Sequence, residues 1–309
     1  MPQRRNNSVT AASRRKLVVI LVLVHKPDMN PNEALSLRQC VSTLDGHDVV
    51  VVCPSGMDVS SYRKIAERID FYHIHPRWQR TYRSFNRLKI SPLLYWSFRR
   101  YDYILFYELD AFVFRDELDH WCEAGYDYIG APWFEGFDKC SYDPPFLGVG
   151  NGGFSLRRTS AALRVLRSFS YIRKPRELFY DLIWDQQGQK CRFDKSLAVI
   201  KKLTLRNNTF YALNDFSGNE DIFWGLIASK NFSWFKVAPA DEARRFSIEG
   251  NPRKLFGLNG NQLPFGCHAW QRYDPEFWIP HITANATMYR DGDRLAAGAS
   301  KWCRQDRCW

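Results

Sequence analysis

Runs of consecutive apolar residues predict the buried strands in the first half of the chain. They occupy residues 17–24, 48–53 and 102–107, and a continuous apolar run is typical of a parallel strand that is buried on both faces. Between the first two runs, residues 31–44 have helical spacing, and Pro31 stands where a helix can begin. A strand, a helix and a strand within 37 residues predict a βαβ unit and a parallel sheet.

Weaker patterns extend this prediction along the chain. They indicate short strands at 71–74 and 126–130, and helices at 61–69, 82–98, 159–169, 195–203 and 220–229. The internal Ser91-Pro92 predicts that the helix over 82–98 kinks or restarts. Frequent Gly and Pro over 130–153 predict a long shaped loop. No internal repeat interrupts the pattern, so we expect one α/β domain.

Composition and charge limit the class of protein. Of 309 residues, 45% are hydrophobic and 16% aromatic, which excludes a disordered or collagen-like chain. The net charge of +11 is concentrated, because residues 1–16 carry five basic residues and no acid, and residues 71–100 carry seven and no acid. We expect a flexible basic tail over 1–16 and a C-terminal extension over 291–309. The charge favours an anionic partner: nucleic acid, acidic lipid or a phosphate-bearing small molecule.

The compartment is predicted from the same features. The apolar run at 17–24 is too short to span a bilayer, which needs about 20 residues. A signal peptide is the alternative, but no small-residue cleavage site follows. The eight cysteines form no CxxC pair, so a structural zinc site is not expected, whereas disulfides and free thiols both remain open. We expect a cytoplasmic protein that could associate peripherally with a membrane.

Two carboxylates follow the third apolar run. Glu108 and Asp110 stand directly after residues 102–107, and ligands bind at the carboxyl ends of strands in parallel α/β sheets. Alternate residues of an extended chain face the same side, so the pair could hold a divalent cation against phosphate oxygens. The alternative is that Asp110 only caps a turn.

Three further motifs could carry chemistry. The glycine-rich stretch 148–157 lets the backbone pass close to a ligand. Glu220 and Asp221 begin a predicted helix, where acids either complement the helix dipole or supply a general base. His268 follows Gly266 and Cys267 and is either a structural residue or an imidazole that faces a cleft.

The order of these motifs resembles that of GT-A-fold glycosyltransferases, which use nucleotide-sugar donors. The local match is nearest to an uncharacterised bacterial family related to them. The resemblance covers roughly residues 17–280, and its segments are ELDAFVF after the third run, then GNGGFSLR, EDIFWG and FGCH. It implies a Rossmann-like, mostly parallel central sheet flanked by helices, with a nucleotide-sugar-binding half over 17–130 and an acceptor-side half over 131–290.

The resemblance also implies roles for single residues. Asp110 matches the last residue of the DxD motif that holds Mn²⁺ or Mg²⁺ against the donor diphosphate. Glu108 stands at its first position, and His268 matches a late histidine that often adds a ligand. Asp221 matches the catalytic base of inverting members, with Glu220 in reserve.

Further residues are expected to bind the donor or the acceptor. The resemblance assigns the loop at Asn151, Gly152, Gly153 and Phe154 to the donor sugar and acceptor. Among basic and polar residues before the metal-binding strand, those expected to contact nucleotide or pyrophosphate are Ser84, Asn86, Arg87 and Lys89. Flat aromatic faces for sugar rings could come from Trp133, Phe154 and Trp224, although aromatic residues more often pack in a core.

The resulting hypothesis is a metal-dependent glycosyltransferase. It would move a sugar from a nucleoside-diphosphate-sugar to a hydroxyl of a glycan, lipid-linked sugar or polysaccharide, with inversion favoured. The alternatives are a basic nucleic-acid-binding protein, which leaves the acidic motifs without a role, and a catalytically inactive glycosyltransferase-like binding module.

Overall fold

The computed structural model describes residues 16–136, 144–183 and 203–286. The strands are β1 (Lys16–Leu23), β2 (Asp48–Pro54), β3 (Asp70–Ile74), β4 (Tyr101–Tyr107), β5 (Phe112–Val113), β6 (Tyr128–Ile129), β7 (Ala131–Phe134), β8 (Phe146–Gly150), β9 (Phe154–Arg158), β10 (Ser247–Ile248) and β11 (Gly266–Cys267). The helices are α1 (Pro31–Thr43), α2 (Ser60–Arg63), α3 (Tyr82–Lys89), α4 (Pro92–Ser97), α5 (Leu118–Glu123), α6 (Thr159–Leu166), α7 (Pro175–Ile183), α8 (Asn207–Phe210), α9 (Glu220–Ile222), α10 (Ser229–Asn231), α11 (Ala240–Phe246), α12 (Pro252–Leu258) and α13 (Pro275–Asn285). A 3₁₀ turn covers Pro76–Gln79, and π-helical turns cover Tyr211–Asp215 and Phe223–Ala228.

The central sheet has six strands in the order β3-β2-β1-β4-β9-β6. The first four are parallel, whereas β9 runs antiparallel to β4 and β6 antiparallel to β9. The apolar runs of β1, β2 and β4 are buried along most of their length, as expected for strands with helices on both faces. The prediction of an α/β fold with a mostly parallel central sheet flanked by helices is therefore confirmed.

The antiparallel strand β9 matters for the site because of where it begins. Tyr107, the last residue of β4, pairs with Phe154, the first residue of β9. The carboxyl end of β4 and the glycine-rich turn before β9 therefore lie at the same edge of the sheet.

A second, three-stranded sheet has the order β10-β11-β5. Strand β10 runs parallel to β11, and β11 runs antiparallel to β5. Behind it lies a separate apolar cluster with residues such as Phe112, Phe114 and Trp278, each at most 9% exposed. These strands have two residues each, which is too short for an alternating pattern in the sequence to predict them.

The predicted loop over 130–153 is wrong in part. Strands β7 and β8 form an antiparallel pair in this stretch, and residues 137–143 lie outside the described chain. The glycines that suggested a loop serve the pairing, because a Cβ on Gly150 would lie 1.8 Å from the indole of Trp133. Glycine leaves room for that ring within a strand.

The helix predicted over 82–98 restarts at Pro92, as expected. Helix α3 ends at Lys89, and the hydroxyl of Ser91 accepts a hydrogen bond from Leu93 N to cap α4. The helix predicted over 61–69 is shorter, since α2 ends at Arg63. The helix predicted over 195–203 lies outside the described residues apart from residue 203.

The described residues contain no helix that is long and apolar enough to cross a membrane. The predicted basic tail and C-terminal extension lie outside the described chain, except that Lys16 begins β1. The four cysteines within it, at positions 40, 53, 122 and 267, are buried free thiols.

Candidate functional site

The turn between β4 and β5 brings two predicted metal ligands together. The backbone N–H of Glu108 donates to the carbonyl of Gly153 at 2.7 Å, and Ala111 N–H donates to the carbonyl of Glu108 at 2.9 Å. The chain then enters β5 at Phe112. Glu108 and Asp110 therefore occupy a short turn at the carboxyl edge of the central sheet, as the sequence pattern predicted.

The three-stranded sheet delivers the remaining residues to the same turn. Cys267 of β11 pairs with Phe112 of β5 and with Ile248 of β10. His268 follows β11, and Glu249 follows β10. Because β5 runs antiparallel to β11, the start of β5 and the end of β11 lie side by side.

The imidazole of His268 lies between carboxylates. Its Nε2 is 3.1 Å from Oδ1 of Asp110 and 3.7 Å from Oε2 of Glu108, and its Nδ1 is 3.0 Å from Oε1 of Glu249. Among the described residues, ligand atoms of Glu108, Asp110 and His268 lie within 4.8 Å of one another. We call these three residues the carboxylate–histidine cluster.

The electrostatics of this cluster favour an added cation. Burial opposes a charged imidazolium, but Asp110 and the neighbouring carboxylates raise the pKa of His268 well above its ordinary value. Burial alone would raise the pKa of Glu108, but Lys89 and His268 hold it well below its usual range. The ring is therefore protonated when no cation is bound, with Nε2 3.1 Å from Asp110 Oδ1, and a metal ion would take the place of the Nε2 proton.

The glycine-rich turn fits closely around these side chains. A Cβ on Gly153 would lie 2.0 Å from Nε2 of His268, and one on Gly152 would lie 2.0 Å from Oε1 of Glu220. Asn151 shapes the turn with a φ of 78°. Its side-chain Oδ1 accepts hydrogen bonds from the backbone of Gly153 and Phe154, both at 3.2 Å.

A second group of charges lies next to the first. Nζ of Lys89 is 2.8 Å from Oε1 of Glu220 and 2.6 Å from Oε1 of Glu108, and Nη2 of Arg157 is 3.1 Å from Oε1 of Glu220. We call Lys89, Arg157 and Glu220 the buried ion-pair cluster, because each side chain is at most 4% exposed. Burial disfavours the ammonium, yet Glu108 and Glu220 raise the pKa of Lys89.

Asp221 follows this cluster and forms no ion pair with any residue in the part of the chain that the structure describes. Its Oδ1 accepts a hydrogen bond from Ile222 N–H at 2.8 Å, and the residue is 9% exposed. Burial, with help from Glu220 and Glu249, raises the pKa of Asp221 to about 7. A carboxyl group with this pKa can accept and release a proton near neutral pH.

The predicted phosphate-binding helix has a different role at two positions. Lys89 is committed to the ion-pair cluster, and Oδ1 of the buried Asn86 accepts a hydrogen bond from Glu220 N–H at 3.0 Å. Ser84 is engaged with Thr81 in the N-terminal cap of α3. Arg87 donates to the carbonyl of Asn214 at 3.5 Å. Asn86 and Lys89 are therefore buried residues that hold Glu220 in place, and neither is exposed to a nucleotide.

The predicted sugar-stacking aromatics are also buried. Phe154 is 0% and Trp224 is 1% exposed, and Trp224 Nε1 donates to the carbonyl of Lys89 at 3.3 Å. Trp133 is 5% exposed, with Nε1 3.2 Å from Oε2 of Glu249. The sugar contact expected of Phe154 and Trp224 is contradicted by this burial, because neither offers a ring face to solvent.

Sequence reasoning missed one residue of the site, Glu249. It stands in the stretch FSIEGN, which is not part of any motif that predicted a ligand or a catalytic residue. Only its place after a two-residue strand brings it to His268. It also missed that Arg157, within the glycine-rich stretch, pairs with Glu220.

The chain belongs to the family described as "Protein of unknown function (DUF5672)", which matches residues 68–268. The matched segment contains Glu108, Asp110, Asp221 and, as its last residue, His268. No curated protein matches the chain.

Solved structures of glycosyltransferases are similar to the chain. LgtC, as an active-site mutant, is 11% identical with a TM-score of 0.47, over 88% of this chain and 98% of LgtC. Mouse xyloside xylosyltransferase 1 is 11% identical with a TM-score of 0.43, over 81% and 97%. A glycosyltransferase involved in glycosylation of the major capsid of PBCV-1 is 9% identical with a TM-score of 0.38, over 87% and 99%. At TM-scores below 0.5, this similarity does not extend to activity.

Proposed function

We propose that this member of the DUF5672 family is a metal-dependent glycosyltransferase of GT-A type. It moves a sugar from a nucleoside-diphosphate-sugar to a hydroxyl of a glycan, lipid-linked sugar or polysaccharide acceptor, with inversion at the anomeric carbon. The observation that carries this proposal is the carboxylate–histidine cluster at the carboxyl edge of the sheet, with Asp221 at a pKa of about 7 beside Glu220.

The cluster suits Mn²⁺ or Mg²⁺. Two carboxylates and one imidazole are ligands that such cations accept, and Nε2 of His268 faces both carboxylates, at 3.1 Å from Asp110 and 3.7 Å from Glu108. Asp110 would be the principal oxygen ligand, because one oxygen of Glu108 is already held by Lys89. A bound cation supplies positive charge that stabilises a departing nucleoside diphosphate.

Asp221 is the proposed catalytic base. A base must be deprotonated at the working pH yet basic enough to take a hydroxyl proton, and a pKa of about 7 meets both conditions. Glu220 was the reserve candidate, but both Lys89 and Arg157 engage its Oε1. We therefore assign Glu220 the task of fixing the start of the segment that carries Asp221.

The glycine-rich turn is the proposed floor of the donor and acceptor site. Gly152 and Gly153 are buried, and the absence of a side chain at each lets Glu220 and His268 lie directly against the backbone of the turn. Asn151 holds the turn through its hydrogen bonds to Gly153 and Phe154. Ser84 and Arg87, half-buried on α3, remain the proposed polar contacts of the nucleotide.

A donor screen by calorimetry tests this function. UDP-, GDP- and dTDP-sugars would each be titrated in Mn²⁺ and in EDTA, with the natural chain and with Asp110→Ala. We expect one nucleotide to bind only with metal, and binding to weaken more than about 100-fold in the variant, beyond what outer-shell changes produce. The Asp110 side chain is 44% exposed, so its removal should leave the fold intact.

Three other outcomes would contradict the proposal. If a nucleotide-sugar binds equally well in Mn²⁺ and in EDTA, and Asp110→Ala does not change its affinity, the proposed metal site is wrong. Salt-dependent binding of random oligonucleotides without nucleotide-sugar binding would favour a nucleic-acid-binding protein. Donor binding without transfer to any acceptor would indicate an inactive binding module.

We also infer peripheral association with an anionic membrane through the basic segment 1–16. The exposed residues Leu93 and Trp96 of α4 add to this inference, since each is at least half exposed. The guanidinium groups of Arg99 and Arg167 lie 4.6 and 5.8 Å from the Trp96 ring centre. Cations beside an exposed indole suit an anionic headgroup layer.

Sedimentation with vesicles tests that association. We expect the chain to bind phosphatidylserine vesicles and not neutral ones, and Leu93→Ser with Trp96→Ser to weaken binding severalfold. Tyr180→Ser is the matched control, because Tyr180 is 63% exposed on α7. Equal binding to both vesicle types would refute the inference.

A further inference from the structure

Glu249 uses both carboxylate oxygens within the protein. Its Oε1 lies 3.0 Å from Nδ1 of His268, and its Oε2 accepts a hydrogen bond from Trp133 Nε1–H at 3.2 Å. The side chain is 15% exposed. No step of the proposed reaction requires this residue, so its contacts need an explanation.

The backbone holds Glu249 and His268 in register. Strands β10 and β11 are parallel, with Ile248 opposite Cys267, and His268 N–H donates to the carbonyl of Ile248 at 3.1 Å. Glu249 and His268 are therefore each the first residue after the end of a strand, and the two strands are neighbours. Their contact is a consequence of the sheet rather than of a flexible surface pair.

We propose that Glu249 is a positioning residue that holds the His268 imidazole with Nε2 directed at the metal. This inference rests on the proposed function. A carboxylate at Nδ1 accepts that nitrogen's proton in a hydrogen bond, which leaves the lone pair of the neutral ring on Nε2. Nε2 is the atom that lies 3.1 Å from Asp110 Oδ1 and 3.7 Å from Glu108 Oε2.

Trp133 extends the support by one more residue. Its indole N–H fixes the second oxygen of Glu249, and its ring packs where a Cβ on Gly150 would lie, 1.8 Å away. The β7–β8 pair is thereby connected to His268 through two side chains. This gives the buried indole a role other than sugar stacking.

Glu249 is not itself placed as a ligand. It contacts Nδ1, on the opposite side of the ring from Asp110, and it is not part of the group of ligand atoms within 4.8 Å in the described chain. Its effect on a metal must therefore pass through His268.

Calorimetric titration of Mn²⁺ without any donor tests the role. We expect Glu249→Ala to weaken Mn²⁺ binding by about 10–100-fold. The free energy of unfolding, measured with urea in EDTA, should fall by less than the free energy of Mn²⁺ binding does. Glu249→Gln should keep the bond to Nδ1 but place an amide against Trp133 N–H. The double variant E249Q/W133F removes that clash, so it should bind Mn²⁺ more tightly than Glu249→Gln alone.

Glu117→Gln is the matched control, since Glu117 pairs with Arg115 away from the cluster and should leave Mn²⁺ binding unchanged. If the natural chain binds Mn²⁺ and Glu249→Ala binds it equally well, the positioning role is refuted and the metal site stands. If the natural chain binds no Mn²⁺, the proposed function and this inference both fail. Should Glu249→Ala not fold, the order of Glu249→Gln and E249Q/W133F decides, and the absence of any gain in the double variant refutes the role.

Discussion

Two adjacent groups of charges at the carboxyl edge of the sheet both contain carboxylates, but the partners and the exposure of those carboxylates differ. In the buried ion-pair cluster, Glu220 has Lys89 and Arg157 within 3.1 Å, and its side chain is 3% exposed. In the carboxylate–histidine cluster, one imidazole faces the carboxylates, and the Asp110 side chain is 44% exposed. Glu108 lies between the two, with Oε1 on Lys89 and Oε2 toward His268.

The difference lies in how the charge is balanced. A buried carboxylate is stable only when cations and hydrogen bonds replace its lost hydration, and Glu220 has both, since Lys89 and Arg157 lie beside its Oε1 and Arg157 donates a hydrogen bond to it. In the carboxylate–histidine cluster the two carboxylates of Glu108 and Asp110 share the single imidazole of His268. The type of a residue therefore does not show whether it stabilises the fold or serves a ligand. The degree to which other groups of the protein balance its charge does.

The largest effect is expected at Asp221, which adjoins Glu220 but lacks its cations. Asp221→Asn should reduce transfer about 10²–10⁴-fold, the usual contribution of a general base, and leave donor affinity unchanged. In the natural chain, transfer should fall as pH drops through about 7, because the protonated carboxyl cannot accept a proton. Steady-state rates and donor titrations over pH 5–9 would measure both.

The same substitution has a signature in stability. The pKa of Asp221 is raised in the folded chain from 3.8 to about 7, so the folded state binds more protons between these values. The free energy of unfolding should then fall as pH rises through that window, and Asp221→Asn should remove this slope. Glu220→Gln is the comparison variant: it should lower stability because it weakens an ion pair, and it should reduce the slope without removing it, because burial is the main cause of the raised pKa of Asp221. Transfer that survives in Asp221→Asn would contradict the assignment of the base.

The next effect is centred on the ion-pair cluster. Lys89→Met removes the cation between Glu108 and Glu220, and a buried charge left unpaired reduces the free energy of unfolding by about 3–5 kcal/mol. Urea unfolding in EDTA would measure it. Lys26→Met is the matched control, because Lys26 pairs with Glu33 at 2.8 Å at the surface, where such pairs contribute about 0–1 kcal/mol. Equal losses in both variants would contradict the structural role of Lys89.

Long patterns in the sequence predicted the framework of this site. The apolar runs at 17–24 and 102–107 became β1 and β4, and the acids after β4 lie at the expected edge. Burial over a whole strand leaves a run that any window detects. His268 was predicted through the order of motifs and does reach Asp110.

Features that depend on distant contacts could not be predicted. Strand β10 has two residues, and nothing local in the sequence indicates that Glu249 meets His268. Lys89 was expected at a phosphate because its charge is visible in the sequence, whereas its burial between two glutamates is not. Charge alone does not indicate whether the partner comes from the protein or from a ligand.

Two adjacent glycines allow the comparison to be tested with the smallest change. A Cβ on Gly152 would lie 2.0 Å from Glu220 Oε1, and one on Gly153 would lie 2.0 Å from His268 Nε2. Gly152→Ala should therefore lower the free energy of unfolding by about 1–3 kcal/mol, as overpacking does. Gly153→Ala should displace the imidazole and weaken Mn²⁺ binding with a smaller loss of stability.

Gly46→Ala is the control for both, because nothing lies within 4 Å of a Cβ there. The measurements are urea unfolding in EDTA and Mn²⁺ titration for all three variants. If the two variants next to the clusters lose stability and Mn²⁺ affinity in the same proportion, the clusters act as one unit and the division between support and chemistry is wrong. If Gly152→Ala mainly loses stability and Gly153→Ala mainly loses Mn²⁺ affinity, the ion pairs stabilise the fold and the imidazole binds the cation.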